Sequence, residues 1–340
     1  MTRRAVIVGA GGMGKAWGHN LAKHPDVEVA GWVDLDAARA TEAVTEVGLV
    51  GIEVGTDLGR LLADTRPDFV VDVTVPEAHR DVTVQSLEAG CPILGEKPMA
   101  LTMAHAKDMV AASERTGLLY MVSQSRRYNA DMVVYRDLAR QIGALGVLNV
   151  DFYLGPHFGG FRDEMASPLV ADMAIHTFDQ ARFLSGRDAV SVYAEEFNPG
   201  WSWMAGDANA TCLFEMEGGL RFTYRGSWVA EGCNTSWEGE WRACGSMGSA
   251  KWDGHQSFAA EVTDGDEGFF RPHRELPVPA HPDSFKSGIE GSLAEFLIAL
   301  DGGPKPQGEC HDNIQSLAMV CAAIESARRK ERVLIAEMLA

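Results

Sequence analysis

Apolar runs of strand length alternate with amphipathic segments of helical length over the first third of the chain. The apolar runs are residues 4–8, 27–33, 69–73, 92–94 and 118–123. The helical segments between them include residues 13–21, 78–89 and 102–116, the last two closed by glycine. Continuous apolar strands that alternate with helices are typical of a parallel sheet covered on both faces. The pattern therefore predicts a doubly wound α/β domain of the Rossmann type over residues 1–123.

The pattern changes after residue 123 to longer segments in which apolar and polar positions alternate. These predicted strands are residues 147–154, 190–197, 208–214, 220–228, 238–244 and 250–252. Predicted helices are residues 171–184, 292–300 and 313–329. Alternation indicates strands with one buried face, as in antiparallel sheets. Because 340 residues exceed one ordinary core, we expect a second, α+β domain over residues 124–340, built on a large, mostly antiparallel open sheet.

A glycine-rich turn separates the first predicted strand from the first predicted helix. It reads Gly-Ala-Gly-Gly-Met-Gly, and its proposed cofactor-binding positions are Gly9, Gly11, Gly12, Met13 and Gly14. In a strand–turn–helix unit the first glycine permits the tight turn, the second lets the backbone approach a pyrophosphate, and the last lets the helix pack on the strand. The turn therefore predicts a dinucleotide site, with a purely structural turn as the alternative.

Asp34 favours NAD as the dinucleotide. It ends the second predicted strand, 20 residues beyond Gly14 (34 − 14 = 20). A carboxylate at this position accepts hydrogen bonds from the adenosine ribose and repels a 2′-phosphate. Leu35 offers no cation, whereas Arg39, one helical turn later, is the residue that would serve NADP. We expect NAD as the cofactor rather than NADP.

Further cofactor contacts are expected where the next parallel strands end. Ligands of doubly wound sheets bind outside the carboxyl ends of the strands. Thr74 and Pro76 follow one predicted strand, and Glu96 and Lys97 follow the next. With His79 at the start of the intervening helix, these residues complete the predicted cofactor site.

Composition narrows the classes of partner. A formal net charge of −18 opposes binding to nucleic acid or to an anionic membrane surface. The glycine turn interrupts the first apolar run, so we expect neither a signal peptide nor a membrane span, and a cytoplasmic location. Six cysteines without paired short spacings predict free, reduced thiols. Cys310 and His311 are adjacent but lack a companion pair, so no metal site is expected.

Three motifs together resemble the glucose-fructose oxidoreductase / inositol dehydrogenase / MocA (Gfo/Idh/MocA) family. They are Glu-Lys-Pro at 96–98, Asp172 with His176 and Asp179 on one predicted helix, and Gln-Ser-Arg-Arg-Tyr at 124–128. The resemblance covers nearly the whole chain and is nearest to the inositol and sugar dehydrogenase branch. It implies a nicotinamide-dependent oxidation of a secondary hydroxyl on a cyclic polyol or sugar, or the reverse reduction.

The same residues suit this chemistry on physical grounds. Removing a hydride from a carbinol carbon leaves a hydroxyl proton for a base, and histidine titrates near neutrality. Asp172 lies four residues before His176 and can orient its imidazole. We therefore expect His176 as general acid/base, Asp172 as its orienting partner, and Lys97 as hydroxyl anchor and proton relay. An ordinary helix histidine and an ordinary loop lysine are the alternatives.

The resemblance also implies contacts to the substrate. It places Arg127, Tyr153 and His157 there, together with Lys97, Asp172 and His176. Six of the eight tryptophans lie between residues 201 and 252, and Trp228 at a strand end is the preferred one for stacking on a sugar ring. Burial of these rings in the core or against a second subunit is the alternative.

A large sheet whose helices cover one face leaves the other face open. We therefore expect a homodimer or homotetramer that uses this open face. Two other functions remain compatible with the motifs. One is an NAD-dependent glycoside hydrolase or another internal redox cycle that retains its cofactor. The other is a non-catalytic regulator that senses the cofactor.

Overall fold

The computed structural model describes residues 2–340 and divides the chain into two compact units. The first unit contains the residues up to 125 together with 286–314, and the second contains 126–285 with 315–340. The sequence placed everything after residue 123 in one domain. The structure divides the chain differently, because the segment 286–314 packs with the first unit.

The first unit is built on a six-stranded parallel sheet. Its strands are β1 (Arg3–Val8), β2 (Val27–Val33), β3 (Glu53–Gly55), β4 (Phe69–Asp72), β5 (Ile93–Gly95) and β6 (Tyr120–Val122). Its first five helices are α1 (Gly12–Lys23), α2 (Ala37–Val47), α3 (Leu58–Thr65), α4 (His79–Glu88) and α5 (Met103–Thr116). The strand order is β3-β2-β1-β4-β5-β6. The predicted Rossmann sheet is confirmed.

Local sequence signals explain where these helices begin and end. The Thr102 side chain accepts a hydrogen bond from the His105 N–H and caps the start of α5. Gly117 ends the same helix in the left-handed conformation, with φ of 68°. Asp36 caps α2 in the same way as Thr102 caps α5. Side-chain caps satisfy the unpaired N–H groups of a helix start, so these polar residues set the helix boundaries.

The second unit is built on a nine-stranded, mostly antiparallel sheet. Its helices and strands before residue 286 are α6 (Ala130–Ala139), β7 (Leu145–Tyr153), α7 (Ile175–Ser185), β8 (Ala189–Phe197), β9 (Asn209–Met216), β10 (Arg221–Ser227), β11 (Glu240–Gly245), β12 (Gly248–Trp252), β13 (Phe258–Thr263) and β14 (His273–Glu275). The pair β7–β10 is parallel, and the other neighbours are antiparallel. The predicted mostly antiparallel sheet is confirmed.

The segment 286–340 contributes to both units. It contains α8 (Gly288–Leu300), α9 (Cys310–Arg329), β15 (Val333–Leu334) and α10 (Ile335–Leu339). β15 pairs with β8, which completes the order β14-β13-β12-β11-β7-β10-β9-β8-β15 in the second sheet. Among the residues described, no helix combines the length and the apolarity needed to cross a bilayer.

Aromatic side chains on α7 and the sheet form the core of the second unit. Phe178 of α7 meets the rings of Phe214, Phe222 and Tyr224 edge-on, at centroid distances of 4.8, 6.2 and 5.4 Å. Edge-to-face contacts of this kind are favourable beyond the area that they bury. They fix α7 on the inner face of β9 and β10, and α7 carries the second group of predicted catalytic side chains.

The predicted helix 171–184 differs from the observed one in its first turns. Leu169–Ala174 is a π-helical segment, and regular α7 begins at Ile175. Single π turns occur often at functional sites. The sequence did not predict α2, β3, α3, α6, β13, β14, β15 or α10.

Candidate functional site

The glycine turn after β1 has positions that no other residue can occupy. Gly9 has φ of +106°, and a Cβ added there would lie 2.6 Å from the carbonyl oxygen of Val73. A Cβ on Gly14 would lie 2.2 Å from the Gly9 carbonyl oxygen. Gly9 is therefore required by the close approach of the segment after β4, and Gly14 by the close approach of α1 to the glycine turn.

The other two glycines leave a surface open above the turn. A Cβ added to Gly11 or Gly12 would meet no atom within 4 Å. Gly11 occupies the N-cap position of α1 and has no side chain that could accept a hydrogen bond there. The free N–H groups of the first helical turn therefore face this open surface. The Met13 side chain beside it is 47% exposed. The residues present fit a pyrophosphate at the helix N-terminus.

Asp34 lies next to this turn at the end of β2. Its Oδ2 accepts a hydrogen bond from the Ala10 N–H at 2.7 Å, and its Oδ1 accepts one from the Asp36 N–H at 3.0 Å. Carboxylate oxygens have two acceptor sites each, so both oxygens retain capacity for ribose hydroxyls. Leu35 is almost fully exposed and brings no charge to this edge.

The turn after β4 carries Thr74 and Pro76, both half-buried. Asp72, the last residue of β4, accepts hydrogen bonds at its Oδ1 from the Thr74 N–H at 3.0 Å and the Thr74 hydroxyl at 2.6 Å. Val75 is 62% exposed between them. The exposed apolar side chain of Val75, on a turn held by the buried Asp72 carboxylate, suits contact with a flat ring of a ligand.

His79 does not contact a cofactor as the sequence suggested. Its side chain is 2% exposed, and its ring nitrogens face the backbone carbonyl oxygens of Pro98 and Thr74. The prediction is wrong because His79 is the first residue of α4, whose inward side lies under the sheet edge. The imidazole ring instead contacts the turn after β4, at Thr74, and the turn after β5, at Pro98.

Glu96 and Lys97 follow β5 directly. Glu96 is buried, and its Oε1 accepts a hydrogen bond from the Trp17 indole N–H at 2.7 Å. Its Oε2 accepts one from the Lys97 N–H at 3.2 Å. Burial raises the pKa of the Glu96 carboxyl above its ordinary value, against the Trp17 hydrogen bond and the Lys97 charge. Glu96 thus ties α1 to the start of the turn, while the Lys97 side chain is half-buried at the sheet edge.

Asp172 and His176 lie one turn apart at the start of α7. Asp172 belongs to the π-helical segment and His176 to regular α-helix. The Asp172 Oδ2 accepts a hydrogen bond from the Arg162 Nε–H at 2.7 Å. Both Asp172 and His176 are half-buried. The carboxylate and the imidazole thus belong to consecutive turns of one helical segment, and the role of Asp172 in orienting His176 stays a prediction.

Arg127 is part of a buried ion pair and not a substrate contact. Its Nε and Nη2 groups donate to both carboxylate oxygens of Asp179, at 2.7 and 2.6 Å. The Ser316 hydroxyl donates to the same carboxylate at 2.7 Å. Arg127 is 6% exposed and Asp179 1%. The assignment of Arg127 is corrected, because a guanidinium held on both sides inside the unit presents no surface to a ligand.

Trp228 is also buried, with 2% exposure. The ring follows β10 at an inward position and is covered by Phe158, edge-on at 5.5 Å. It therefore offers no face for stacking on a sugar, and core burial is the correct interpretation. Tyr153 ends β7 half-buried. His157 is exposed, stacked on Trp203 at 3.9 Å and 2.8 Å from a Glu231 carboxylate oxygen.

Two arginines that the sequence did not assign lie beside the predicted residues. Arg126 donates to Met173, the neighbour of Asp172, and lies 3.8 Å from Glu238. Burial lowers the Arg126 pKa, while Glu238 opposes this shift. Arg162 holds Asp172 and lies over the rings of Phe158 and Phe161. The sequence signal that could have identified Arg126 is its position next to Arg127. Consecutive residues of a helical turn point in different directions, so the two arginines contact different groups.

Cys310 and its neighbours form a compact polar cluster at the start of α9. The donor atoms of Glu309, Cys310 and His311 lie within 4.8 Å of one another. The His311 Nδ1 and a Glu309 oxygen are only 2.6 Å apart, and Lys305 neutralises the other Glu309 oxygen at 2.9 Å. Burial raises the Cys310 pKa to about 12. The cluster is held by hydrogen bonds, and we assign it no ion. All six cysteines are unpaired, as predicted.

A parallel sheet with a glycine turn, a helix N-terminus without a side-chain cap and an acidic end of β2 defines a dinucleotide-binding protein of the Rossmann class. Family models extend this class over most of the chain. Residues 3–124 match the oxidoreductase family with an NAD-binding Rossmann fold, and residues 140–251 match the GFO/IDH/MocA C-terminal domain. The chain therefore belongs to the Gfo/Idh/MocA oxidoreductase family.

Individual proteins show the same likeness along the whole chain. The uncharacterized protein y4oX of Sinorhizobium fredii is 30% identical over 100% of this chain and 97% of its own length. The inositol 2-dehydrogenase of Rhizobium meliloti is 26% identical over 99% and 100%. An Agrobacterium radiobacter oxidoreductase, solved with NAD+, L-tartaric acid and magnesium, has a TM-score of 0.84 at 23% identity and covers 99% of this chain and 100% of its own.

Removal of the Arg127 guanidinium should strongly destabilise the second unit. Arg127→Met leaves the buried Asp179 carboxylate without its bidentate partner, and breaking a buried ion pair costs about 3–5 kcal/mol. Arg225→Met removes an arginine paired with Asp151 on the exposed sheet surface, where such pairs contribute roughly 0–1 kcal/mol. Urea unfolding followed by circular dichroism compares the two variants, and equal losses would contradict the structural assignment of Arg127.

Proposed function

We propose that the chain is an NAD-dependent dehydrogenase that oxidises a secondary hydroxyl of a cyclic polyol or sugar to a ketone, or catalyses the reverse reduction. The observation that carries this proposal is the place of Lys97. It follows β5 directly, at the carboxyl edge of the sheet whose glycine turn follows β1. The relative named inositol 2-dehydrogenase, which matches along its full length, supports the substrate class.

The residues that would hold NAD lie along this sheet edge. The N–H groups at Gly11 and Gly12 would bind the pyrophosphate, and Asp34 would bind the adenosine ribose. Thr74 and Pro76 would line the nicotinamide side. When bound, NAD+ supplies a hydride acceptor for the carbinol carbon of the substrate.

The proton of the hydroxyl is handled by the chain itself. His176 would take this proton as general base and become an imidazolium, while bound NAD+ would supply the acceptor for the hydride, which leaves a ketone. Lys97 would serve as hydroxyl anchor and proton relay. Asp172 orients the imidazole, and its bond to Arg162 at 2.7 Å holds the carboxylate in one rotamer. In the reverse direction the protonated His176 donates.

Recognition of the remaining hydroxyls falls to Tyr153 and His157 in this proposal. His157 lies in a glycine-rich loop that also carries the half-exposed Phe158. Loops of this kind commonly carry binding residues on a rigid scaffold. The aromatic surface for the apolar face of a ring is therefore assigned to Phe158, which covers Trp228.

We also propose that a second copy of the chain covers the outer face of the large sheet. Val190, Tyr193 and Leu213 are each exposed by more than 40% on β8 and β9, and Tyr193 lies directly opposite Leu213 in the ladder. Adjacent exposed apolar side chains on a sheet face favour association, and a shared face gives a two-fold dimer.

A cytoplasmic location is proposed with this function. All six thiols are unpaired, and three of them are buried. Cytosolic proteins keep their cysteines reduced, whereas secreted proteins usually pair them.

The cofactor preference is tested by direct binding. NADH should bind about tenfold or more tightly than NADPH, because the Asp34 carboxylate repels a 2′-phosphate. Asp34→Ser should narrow this difference, whereas Asp64→Ser, which changes an acidic residue at an exposed position, should leave it unchanged. Fluorescence titration of the nicotinamide measures both constants. Tighter binding of NADPH by the unchanged protein would reject the NAD assignment.

The reaction is tested with a panel of inositols, monosaccharides and amino sugars at alkaline pH, with NADH formation followed at 340 nm. His176→Asn should lower kcat by about 10²–10⁴ on any active substrate, because the general base is lost. The dissociation constant for NADH should stay within about twofold of the unchanged protein's. Near-normal turnover in this variant would refute the role of His176. Silence across the panel with tight NADH binding would favour an internal redox cycle or a sensor.

The oligomer is tested by light scattering at micromolar concentration. The unchanged protein should be a dimer or tetramer, and Leu213→Lys should shift it to a smaller species, because a buried charge opposes the contact. Lys251→Ala is a control at an exposed sheet position outside the apolar group. A monomer before substitution would contradict the proposal.

A further inference from the structure

His79 is a buried polar side chain between two turns of the cofactor edge. Its Nδ1 lies 2.9 Å from the Pro98 carbonyl oxygen, and its Nε2 lies 3.2 Å from the Thr74 carbonyl oxygen. Carbonyl oxygens only accept hydrogen bonds, so the ring must donate through each nitrogen that binds one. A ring that carries both protons joins both turns at once.

The two carbonyl groups belong to turns with different tasks. Thr74 follows β4, and Pro98 follows Lys97 in the turn after β5. β4 and β5 are neighbours in the sheet, with their carboxyl ends at the same edge. The imidazole therefore bridges the turn proposed to line the nicotinamide and the turn that carries the proposed proton relay.

Each turn is anchored separately on its other side. The Asp72 carboxylate accepts both hydrogen bonds from Thr74. Glu96 accepts from the Lys97 N–H and from Trp17 of α1. Asp72 and Glu96 therefore fix each turn near its own strand. The His79 ring is the side chain that contacts both turns.

The two acceptors that anchor these turns are themselves buried. Asp72 is fully buried and Glu96 nearly so. Burial raises the pKa of both carboxyls.

We propose that His79 is a positioning residue that sets Lys97 relative to the nicotinamide by clamping the Thr74 turn to the Lys97–Pro98 turn. This inference rests on the proposed function for the task of Lys97. The Nδ1 bond acts on Lys97, and the Nε2 bond acts on the cofactor side.

Two substitutions separate the two bonds. In His79→Asn the amide nitrogen takes the place of Nδ1 and keeps the bond to Pro98. In His79→Gln it takes the place of Nε2 and keeps the bond to Thr74. His79→Asn should weaken NADH binding about tenfold, with kcat at saturation within about twofold, because a buried hydrogen bond of a charged donor is lost on one side only. His79→Gln should show the converse, a tenfold lower kcat with NADH binding nearly unchanged.

A third measurement needs neither cofactor nor substrate. Acetic anhydride labels lysine amines in the apo protein, and mass spectrometry reports the rate at Lys97 relative to the exposed Lys251. His79→Gln should change this ratio about threefold or more, and His79→Asn should not, since only the first releases the Pro98 carbonyl. This test and the NADH-binding test need no substrate. They therefore distinguish failure of the proposed His79 role from failure of the proposed dehydrogenase reaction.

Thr65→Ala is the control for general destabilisation. Thr65 is buried in α3, which precedes the amino end of β4, and its hydroxyl donates to the Leu61 carbonyl. Thr65→Ala should lower the thermal stability without changing kcat and the dissociation constant for NADH in opposite ways. Equal effects of Asn and Gln at position 79, or effects that match this control, would overturn the clamp. If neither variant folds, the 15N spectrum of the native apo protein decides: two hydrogen-bonded ring N–H signals support the clamp, and a single one rejects it.

Discussion

The close contact between α1 and the turn after β1 governs the geometry of the first unit. At Gly14 the helix approaches the turn so closely that a single Cβ would overlap the carbonyl oxygen of Gly9. This contact fixes the direction of the α1 N-terminus, which in turn fixes where a phosphate can bind. Trp17 of α1 donates a hydrogen bond to Glu96, the residue before Lys97. The position of the Lys97 turn therefore also depends on the contact between α1 and the glycine turn.

The second unit relies on a different kind of constraint. The aromatic contacts of Phe178 hold α7 on the sheet, and the Arg127–Asp179 pair fixes the helix to the turn before α6. Asp172 and His176 stand on the first turns of the helix so anchored. A buried ion pair of this type is poor evidence for stability by itself. Its value here is that it fixes one rotation of α7 and hence one direction for the proposed catalytic side chains.

The sequence predicted much of the fold because its local signals agree with the final packing. Continuous apolar runs identified β1, β2 and β4, and Thr102 with Gly117 identified the ends of α5. The site was predicted where a motif acts through backbone geometry, as at the glycine turn. It was mispredicted for Arg127, Trp228 and His79, because residue type and spacing do not tell which way a side chain points. Each of these three side chains points inward, and only tertiary packing determines that direction.

The return of residues 286–314 to the first unit has a consequence for biosynthesis. The ribosome delivers β1 to β6 early, but the first unit lacks α8 until nearly the whole chain has left the exit tunnel. The second unit is likewise open until β15 pairs with β8. The parallel pair β7–β10 adds a distant pairing that must wait for the strands between them. During synthesis the first unit therefore has all its strands before it has α8, whereas the second sheet keeps an unpaired edge at β8 until β15 is made.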